Sequence, residues 1–84
     1  MYTVNWRPSA EQDLANLWNS ASDRSAIASA ADAIDDALAR NPLAVGESRK
    51  ENTRIGFETP LVVIFDVDES ARVVNVWEVW RWPI

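Results

Sequence analysis

Apolar residues recur at helical spacing only between residues 9 and 40, and at strand spacing only in residues 2–6 and 53–82. The chain therefore opens with one short strand, passes through a single helical block and finishes in a β-rich half without helical interruption. Strands that follow one another across short turns pair as antiparallel hairpins, and a helical pair with one apolar stripe has to bury it against the sheet. The expected class is α+β, with a two-helix hairpin packed on one face of a mainly antiparallel sheet.

In the opening strand Tyr2, Val4 and Trp6 alternate with Thr3 and Asn5 until Pro8 stops the pattern. Ser9 and Gln12 match a capping box, and Ala10, Leu14, Leu17, Trp18 and Ala21 then keep helical spacing, which predicts a first helix over residues 9–19. Ser22 or Asp23 caps a second helix whose stripe is Ile27, Ala30, Ala31, Ile34 and Leu38, and Asn41-Pro42 ends it. Both stripes read as core. Residues 43–52, which include Gly46, Glu47, Ser48, Arg49 and Lys50, show no periodicity and are expected to form a loop able to carry function.

Three further strands are expected at residues 53–57, 61–67 and 72–82, separated by Glu58-Thr59-Pro60 and by Asp68-Glu69-Ser70. The unbroken run Leu61-Val62-Val63-Ile64-Phe65 marks the central strand. In the last strand Val74, Val76, Trp80 and Trp82 share one parity and Val73, Trp77 and Val79 the other, so both faces are expected to carry apolar groups. A two-layer domain leaves part of that surface uncovered.

With 84 residues there is room for one core and no second domain, so residues 1–84 are expected to act as one unit. Hydrophobic residues make up 48% and charged residues 25%, the balance of a globular chain and not of a disordered one. The chain has no Cys and no His, hence neither a disulfide nor a zinc set, and stability has to come from packing or from a partner. Five Trp offer large areas to bury. The net charge of −5 disfavours non-specific gripping of a phosphate backbone by the whole surface, although Arg49, Lys50 and Arg54 fall close together. No basic start precedes an apolar run and no segment is apolar enough to span a membrane, so a cytoplasmic location without a membrane partner is expected.

Several groups of residues carry a family resemblance. They are Tyr2-Thr3-Val4-Asn5-Trp6 with Pro8 and Ala10-Glu11-Gln12-Asp13-Leu14; Asn41-Pro42 with Gly46-Glu47-Ser48-Arg49; and Arg54 with Pro60-Leu61-Val62-Val63-Ile64-Phe65-Asp66-Val67, followed by residues 73–79. In order and spacing these resemble the opening strand and A-x-x-D-L helix start, the N-P turn with its Arg-bearing loop, and the paired strands of the RelE/ParE superfamily. Those proteins are toxins of type II toxin–antitoxin modules, grouped with plasmid stabilisation proteins. The resemblance implies a β-α-α-β-β-β fold and a cognate antitoxin that lays an extended or helical segment over the toxin. It also implies action on a topoisomerase or on ribosome-bound mRNA.

Members that cut RNA use basic residues on the sheet, often with a C-terminal Tyr or His. Here Val62 stands at the aligned Arg position, there is no His, and the only Tyr is Tyr2. Against that pattern, a ParE-like binding action or a decayed activity is expected ahead of mRNA cleavage, and enzymatic activity is left open.

Without His, acid–base work near neutral pH falls to perturbed carboxylates, Lys or Tyr, and no Ser has a base announced beside it. Asp66, Asp68 and Glu69 are expected to be a solvated hairpin end rather than a cation site, and no cofactor is expected. The candidate functional basic patch is Arg49, Lys50, Arg54 and Arg81, since Arg matches phosphate or carboxylate in a bidentate fork; its alternative is surface pairing with Glu47, Glu51, Glu58 and Glu78. The candidate partner-binding residues are Trp77, Trp80 and Trp82, because Trp and Arg are enriched at binding hot spots; their alternative is plain core. The competing reading of the whole chain is a non-toxic interaction module or a homodimer on the same fold.

Overall fold

The computed structural model describes residues 1–83. Its elements follow in the order β1 (Thr3–Trp6), α1 (Pro8–Ser20), α2 (Arg24–Arg40), β2 (Glu47–Lys50), β3 (Thr53–Glu58), β4 (Leu61–Asp68) and β5 (Val73–Arg81), with a 3-10 turn at Pro42–Ala44. The strands form one sheet in the order β1-β5-β4-β3-β2, in which β1 runs parallel to β5 and the other neighbours are antiparallel. The helices lie on one face, so the expected α+β arrangement is present, with one strand more than expected.

The additional strand lies in the segment read as a loop. Glu47, Ser48, Arg49 and Lys50 are exposed at every position, so no buried face imposes a period of two on them. Their extended form comes from pairing with β3, Glu47 opposite Ile55 and Ser48 opposite Arg54. A short, charged strand of this kind suits a sheet edge, where it discourages further pairing. Gly46 sets the entry into β2: its φ is +62°, and a Cβ there would lie 1.8 Å from the Ile55 carbonyl oxygen. Only glycine fits that approach.

Helix α1 begins at Pro8, one residue before the expected start. Proline at N1 has no N–H to lose and a φ already suited to a helix, so Arg7 takes the N-cap and Ser9 falls inside the first turn. The expected capping box does not form. Gln12 Nε2 donates to Asn16 Oδ1 at 3.2 Å, and Ser9 Oγ donates to the Trp77 carbonyl at 2.8 Å. Asp13 also turns to β5, its Oδ2 accepting from the Val79 N–H at 3.3 Å. These contacts fall beyond the end of β1, whose last residue Trp6 pairs with Val76. Side chains of α1 thus satisfy the part of the β5 edge that β1 leaves open.

Strand β5 carries a bulge at Trp77. Phe65 pairs with Val76 but Ile64 pairs with Glu78, so Trp77 is the extra residue and the side-chain alternation reverses across it. Val74, Val76 and, past the bulge, Val79 are buried in the core, whereas Trp80 stands opposite Val62 on the other face. The single parity expected over residues 72–82 therefore holds only as far as Val76.

The core joins Ala10, Ile27, Ile34 and Leu38 of the helices to Leu61, Val63, Phe65, Val74, Val76 and Val79 of the sheet, with Leu14 and Leu17 packed at its border. Phe65 is fully enclosed, and Gly56 makes room for it: a Cβ on Gly56 would lie 3.3 Å from the Phe65 ring. Phe65→Ala is expected to cost about 3–5 kcal/mol, a large share of the roughly 5–15 kcal/mol that a domain possesses. Gly46→Ala is expected to lose more than about 1 kcal/mol through strain. Urea unfolding checks both: the midpoints fall at unchanged slope, and a wild-type midpoint for Gly46→Ala would show that the turn into β2 is not constrained.

Candidate functional site

The four basic residues of the expected patch are not brought together. Arg49 and Lys50 project from the exposed edge strand β2. Arg54 is turned inward: its Nε donates to the Val45 carbonyl at 3.1 Å and its Nη2 to the Gly46 carbonyl at 3.2 Å, which holds the turn before β2. Arg81 pairs in register with Leu61, while Arg54 pairs with Phe65. Four residues along β4 and two strand spacings across place them about 13 Å apart in one direction and about 10 Å in the other.

Arg81 makes a bidentate pair with Asp23, Nη1 to Oδ1 at 2.9 Å and Nη2 to Oδ2 at 2.7 Å. Asp23 stands at the N-cap of α2, as expected, but its carboxylate is given to Arg81 and makes no hydrogen bond to the helix backbone. The hydrogen bonds from Arg81 hold the Asp23 carboxyl below the ordinary value of 3.8, and Asp23 in turn keeps the guanidinium more firmly protonated. The bulge aims Arg81 at the helices; without the reversal at Trp77 this side chain would leave the sheet on the opposite face.

That opposite face is uncovered by helices, and its side chains form rows across the strands. Phe57, Val62 and Trp80 make an apolar row; Glu47, Ile55, Ile64 and Glu78 follow; then come Lys50, Thr53, Asp66, Asn75 and Asn5. Val62 is 2% exposed, although it lies outside the helix-covered core, so its neighbours on this face enclose it. Phe57 at 61% and Trp82 at 58% exposure extend the apolar end of the face into solvent.

The other end is polar. Asp66 accepts from Asn75 Nδ2 at 3.1 Å and from Trp77 Nε1, and Asn5 Nδ2 donates to Asn75 Oδ1 at 3.1 Å, which links β1, β5 and β4. Trp77 lies under Arg7, whose guanidinium carbon is 5.0 Å from the ring centroid. Asp68 closes the β4–β5 turn, accepting from the Ala71 N–H at 3.0 Å and the Ser70 hydroxyl at 2.9 Å, and these bonds hold its carboxyl low.

The three candidate Trp residues are thus separated by role. Trp77 is the bulge residue bonded to Asp66, Trp80 is half-buried in the apolar row, and Trp82 projects beyond the end of β5. Phe57 and Val62 were not among the candidates, although the Glu58-Thr59-Pro60 turn carried the signal, since it sets Phe57 opposite Val62.

A family model described as the ParE toxin of type II toxin–antitoxin systems, parDE, matches residues 4–81. The chain belongs to that family. Its structure is similar to that of the RelBE2 toxin–antitoxin complex from Mycobacterium tuberculosis, at 22% identity over 95% of this chain and 90% of that chain, with a TM-score of 0.79. It is also similar to the chromosomal ParDE system from P. aeruginosa, at 15% identity over 96% of each chain and a TM-score of 0.66. A conserved hypothetical protein from Helicobacter pylori shares the fold at 12% identity over 98% of this chain and 96% of that chain, with a TM-score of 0.60. At these identities the likeness is one of fold. A search of curated proteins finds no match.

In this ParE-family chain the lowered carboxyls make a prediction about acid stability. Because Asp23 and Asp68 sit below 3.8 in the folded state, their contributions are present above about pH 4 and lost as pH falls through the lowered values. Thermal unfolding measured from pH 7 to pH 2 should show stability falling below pH 4, with a shallower fall in Asp23→Asn. An identical acid limb in that variant would show that the Asp23–Arg81 pair does not contribute to it.

Proposed function

We propose that this ParE-family chain is the toxin half of a type II toxin–antitoxin module, held by a cognate antitoxin in the cytoplasm. We further propose that it acts by binding a protein target such as a topoisomerase and not by cutting ribosome-bound mRNA. The open sheet face carries this reading. Its centre is the row Phe57, Val62 and Trp80, and in the rows beside it three carboxylates, Glu47, Asp66 and Glu78, stand against one cation, Lys50 at the sheet edge. Carboxylates repel a phosphate backbone, whereas an aromatic row beside enclosed aliphatic groups suits an anchor residue of a protein. Of the candidate basic residues, Arg54 and Arg81 are engaged by internal oxygens, and Arg49 and Lys50 are left exposed on the edge strand β2. No helix of the described residues is long and apolar enough to cross a membrane.

A second reading is favoured by the exposure of Phe57 and Trp82: a non-toxic interaction module, or a homodimer joined through the same row. Inducing the chain alone in a bacterial host, and together with the adjacent reading frame, separates the two. The toxin reading expects growth arrest relieved by the neighbour, altered supercoiling of plasmids recovered from arrested cells, and intact mRNA in a ribosome-dependent cleavage assay. Clear mRNA cleavage would overturn the binding mechanism. Unimpaired growth, together with a mass that rises with concentration in light scattering, would establish the second reading.

Phe57→Ser and Trp82→Ser are expected to weaken arrest by at least tenfold in the inducer needed while leaving the thermal midpoint near wild type, because both side chains are more than half exposed. Arrest at wild-type inducer levels in both variants would exclude this face as the binding surface.

A further inference from the structure

Strand β1 runs out into an arginine that the fold supports but does not pair. Tyr2, Val4 and Trp6 pack towards the helices, with Trp6 bonded to Asp35 of α2, so the alternation of the strand turns Asn5 and Arg7 to the open face. The Arg7 backbone is fixed on both sides: its N–H donates to the Val76 carbonyl at 2.9 Å, and its carbonyl accepts from the Glu11 N–H at 2.9 Å in the first turn of α1. Its guanidinium carbon lies 5.0 Å from the centroid of the Trp77 ring, and that ring is held in turn by the bond from its Nε1 to Asp66. Cation, ring and carboxylate make a chain of three at one corner of the open face, beyond the last paired residue of β1.

Stacking on an indole uses the flat face of a guanidinium and leaves its N–H edge free to bind. Among the described residues the ion pairs are Arg40 with Asp36 and Arg81 with Asp23, and Arg7 enters neither. Its Nε is enclosed without an acceptor, so an incoming group is left the outer fork, Nη1 and Nη2. The carboxylates that reach this stretch of β5 are already engaged, Asp66 by Asn75 and Trp77, and Asp13 by the Val79 N–H. A partly buried charge without a counter-charge is unfavourable until something pairs with it, and Trp77, 40% exposed, keeps the corner open to solvent.

The surroundings select the ligand. A fork of two N–H donors fits two coplanar oxygens. One guanidinium matches one negative charge, and Glu47, Asp66 and Glu78 in the neighbouring rows, within a net charge of −5, act against any further one. A single carboxylate fits these limits. A phosphate monoester near −2, or a run of backbone phosphates, brings more charge than the corner can match. The apolar row Phe57, Val62 and Trp80 lies on the same face, so a protein segment crossing it meets an aromatic row and a fixed cation together. A cation already held in place loses less freedom on binding than a mobile one.

We propose that the Arg7 guanidinium, held flat on Trp77, seats one Asp or Glu side chain of the protein target that covers the open sheet face. The proposal rests on the target-binding reading above and supplies its polar anchor, with Trp77 and Asp66 as positioning residues behind Arg7.

One arm of the test needs no target. Arginine Nε–H and indole Nε1–H resonances of the isotopically labelled chain are followed as sodium acetate is added, against sodium chloride at equal ionic strength, and then with inorganic phosphate near neutral pH. The seat predicts that acetate moves the Arg7 and Trp77 resonances together along a saturable curve that chloride does not reproduce, and that phosphate binds no more tightly. Unmoved resonances would overturn the seat, and tighter phosphate binding would overturn the carboxylate assignment. The second arm is growth. Arg7→Gln, at a thermal midpoint near wild type, is expected to need at least about tenfold more inducer for arrest, and Arg7→Lys to recover part of the loss, since an ammonium keeps the charge but not the fork. Arrest by Arg7→Gln at wild-type inducer levels would overturn the role in target binding. If Arg7→Gln does not fold, the titration and Arg7→Lys decide, and a lysine variant as potent as wild type would overturn the fork. Absence of arrest in the wild type would refute the target-binding reading itself, whereas the titration still decides whether Arg7 seats a carboxylate.

Discussion

Much of the molecule depends on one extra residue in β5. The bulge at Trp77 reverses which side chains meet the helices, so that Val79 enters the core, Arg81 reaches Asp23 and Trp80 is left on the open face. It also lies where β5 runs past the end of β1, so that the edge of β5 away from β4 has no strand beside it. There Ser9 bonds the Trp77 carbonyl and Asp13 accepts from the Val79 N–H. Backbone groups left unpaired away from water cost as much as a lost hydrogen bond, so these two side chains fix how α1, once started at Pro8, lies along the sheet. The Asp of the A-x-x-D-L helix start thereby acquires a physical role as an edge cap.

From that placement the rest follows in order. With α1 tied to β5 and α2 held by the Arg81–Asp23 pair and by the Trp6 Nε1 bond to Asp35 at 2.9 Å, the helices are fixed more by the sheet than by each other. A groove between them is the consequence. The sheet acquires two unlike faces: one buried under the helices with Phe65 at its centre, the other open, with an apolar aromatic row at one end and an Asp66-centred polar network at the other. Two of the four candidate basic residues are spent inside, Arg54 on the turn before β2 and Arg81 on the junction between the helices, while Arg49 and Lys50 stay exposed on β2.

The helical block, the hairpin between β3 and β4 and the central position of β4 were legible in the residues because each has a period or a turn signature of its own. Residues 47–50 were not, since an edge strand with every side chain in water carries no alternation; only its pairing with β3 makes it a strand. The reversal in β5 escaped for a related reason. Val74, Val76, Trp77, Val79 and Trp80 are apolar on both parities, so the pattern could not show where the alternation slipped. Pro8 did carry the true helix start, and the Ser9–Gln12 pairing outweighed it wrongly. Of the candidate site, the apolar character of the last strand was visible from sequence, but the internal partners of Arg54 and Arg81 are backbone carbonyls and a carboxylate remote in sequence that only the fold brings near.

The division of duties between the two sheet faces turns on the side-chain directions past Trp77, and methyl and indole NOEs on isotopically labelled protein read those directions in solution. The Val79 methyls should show NOEs to helix side chains such as Leu17, and the Trp80 indole to the Val62 methyls and the Phe57 ring. NOEs from Trp80 to the helices, with Val79 facing the open side, would mean that the strand runs without a bulge, and the assignment of Arg81 to the core side and of Trp80 to the binding face would be wrong.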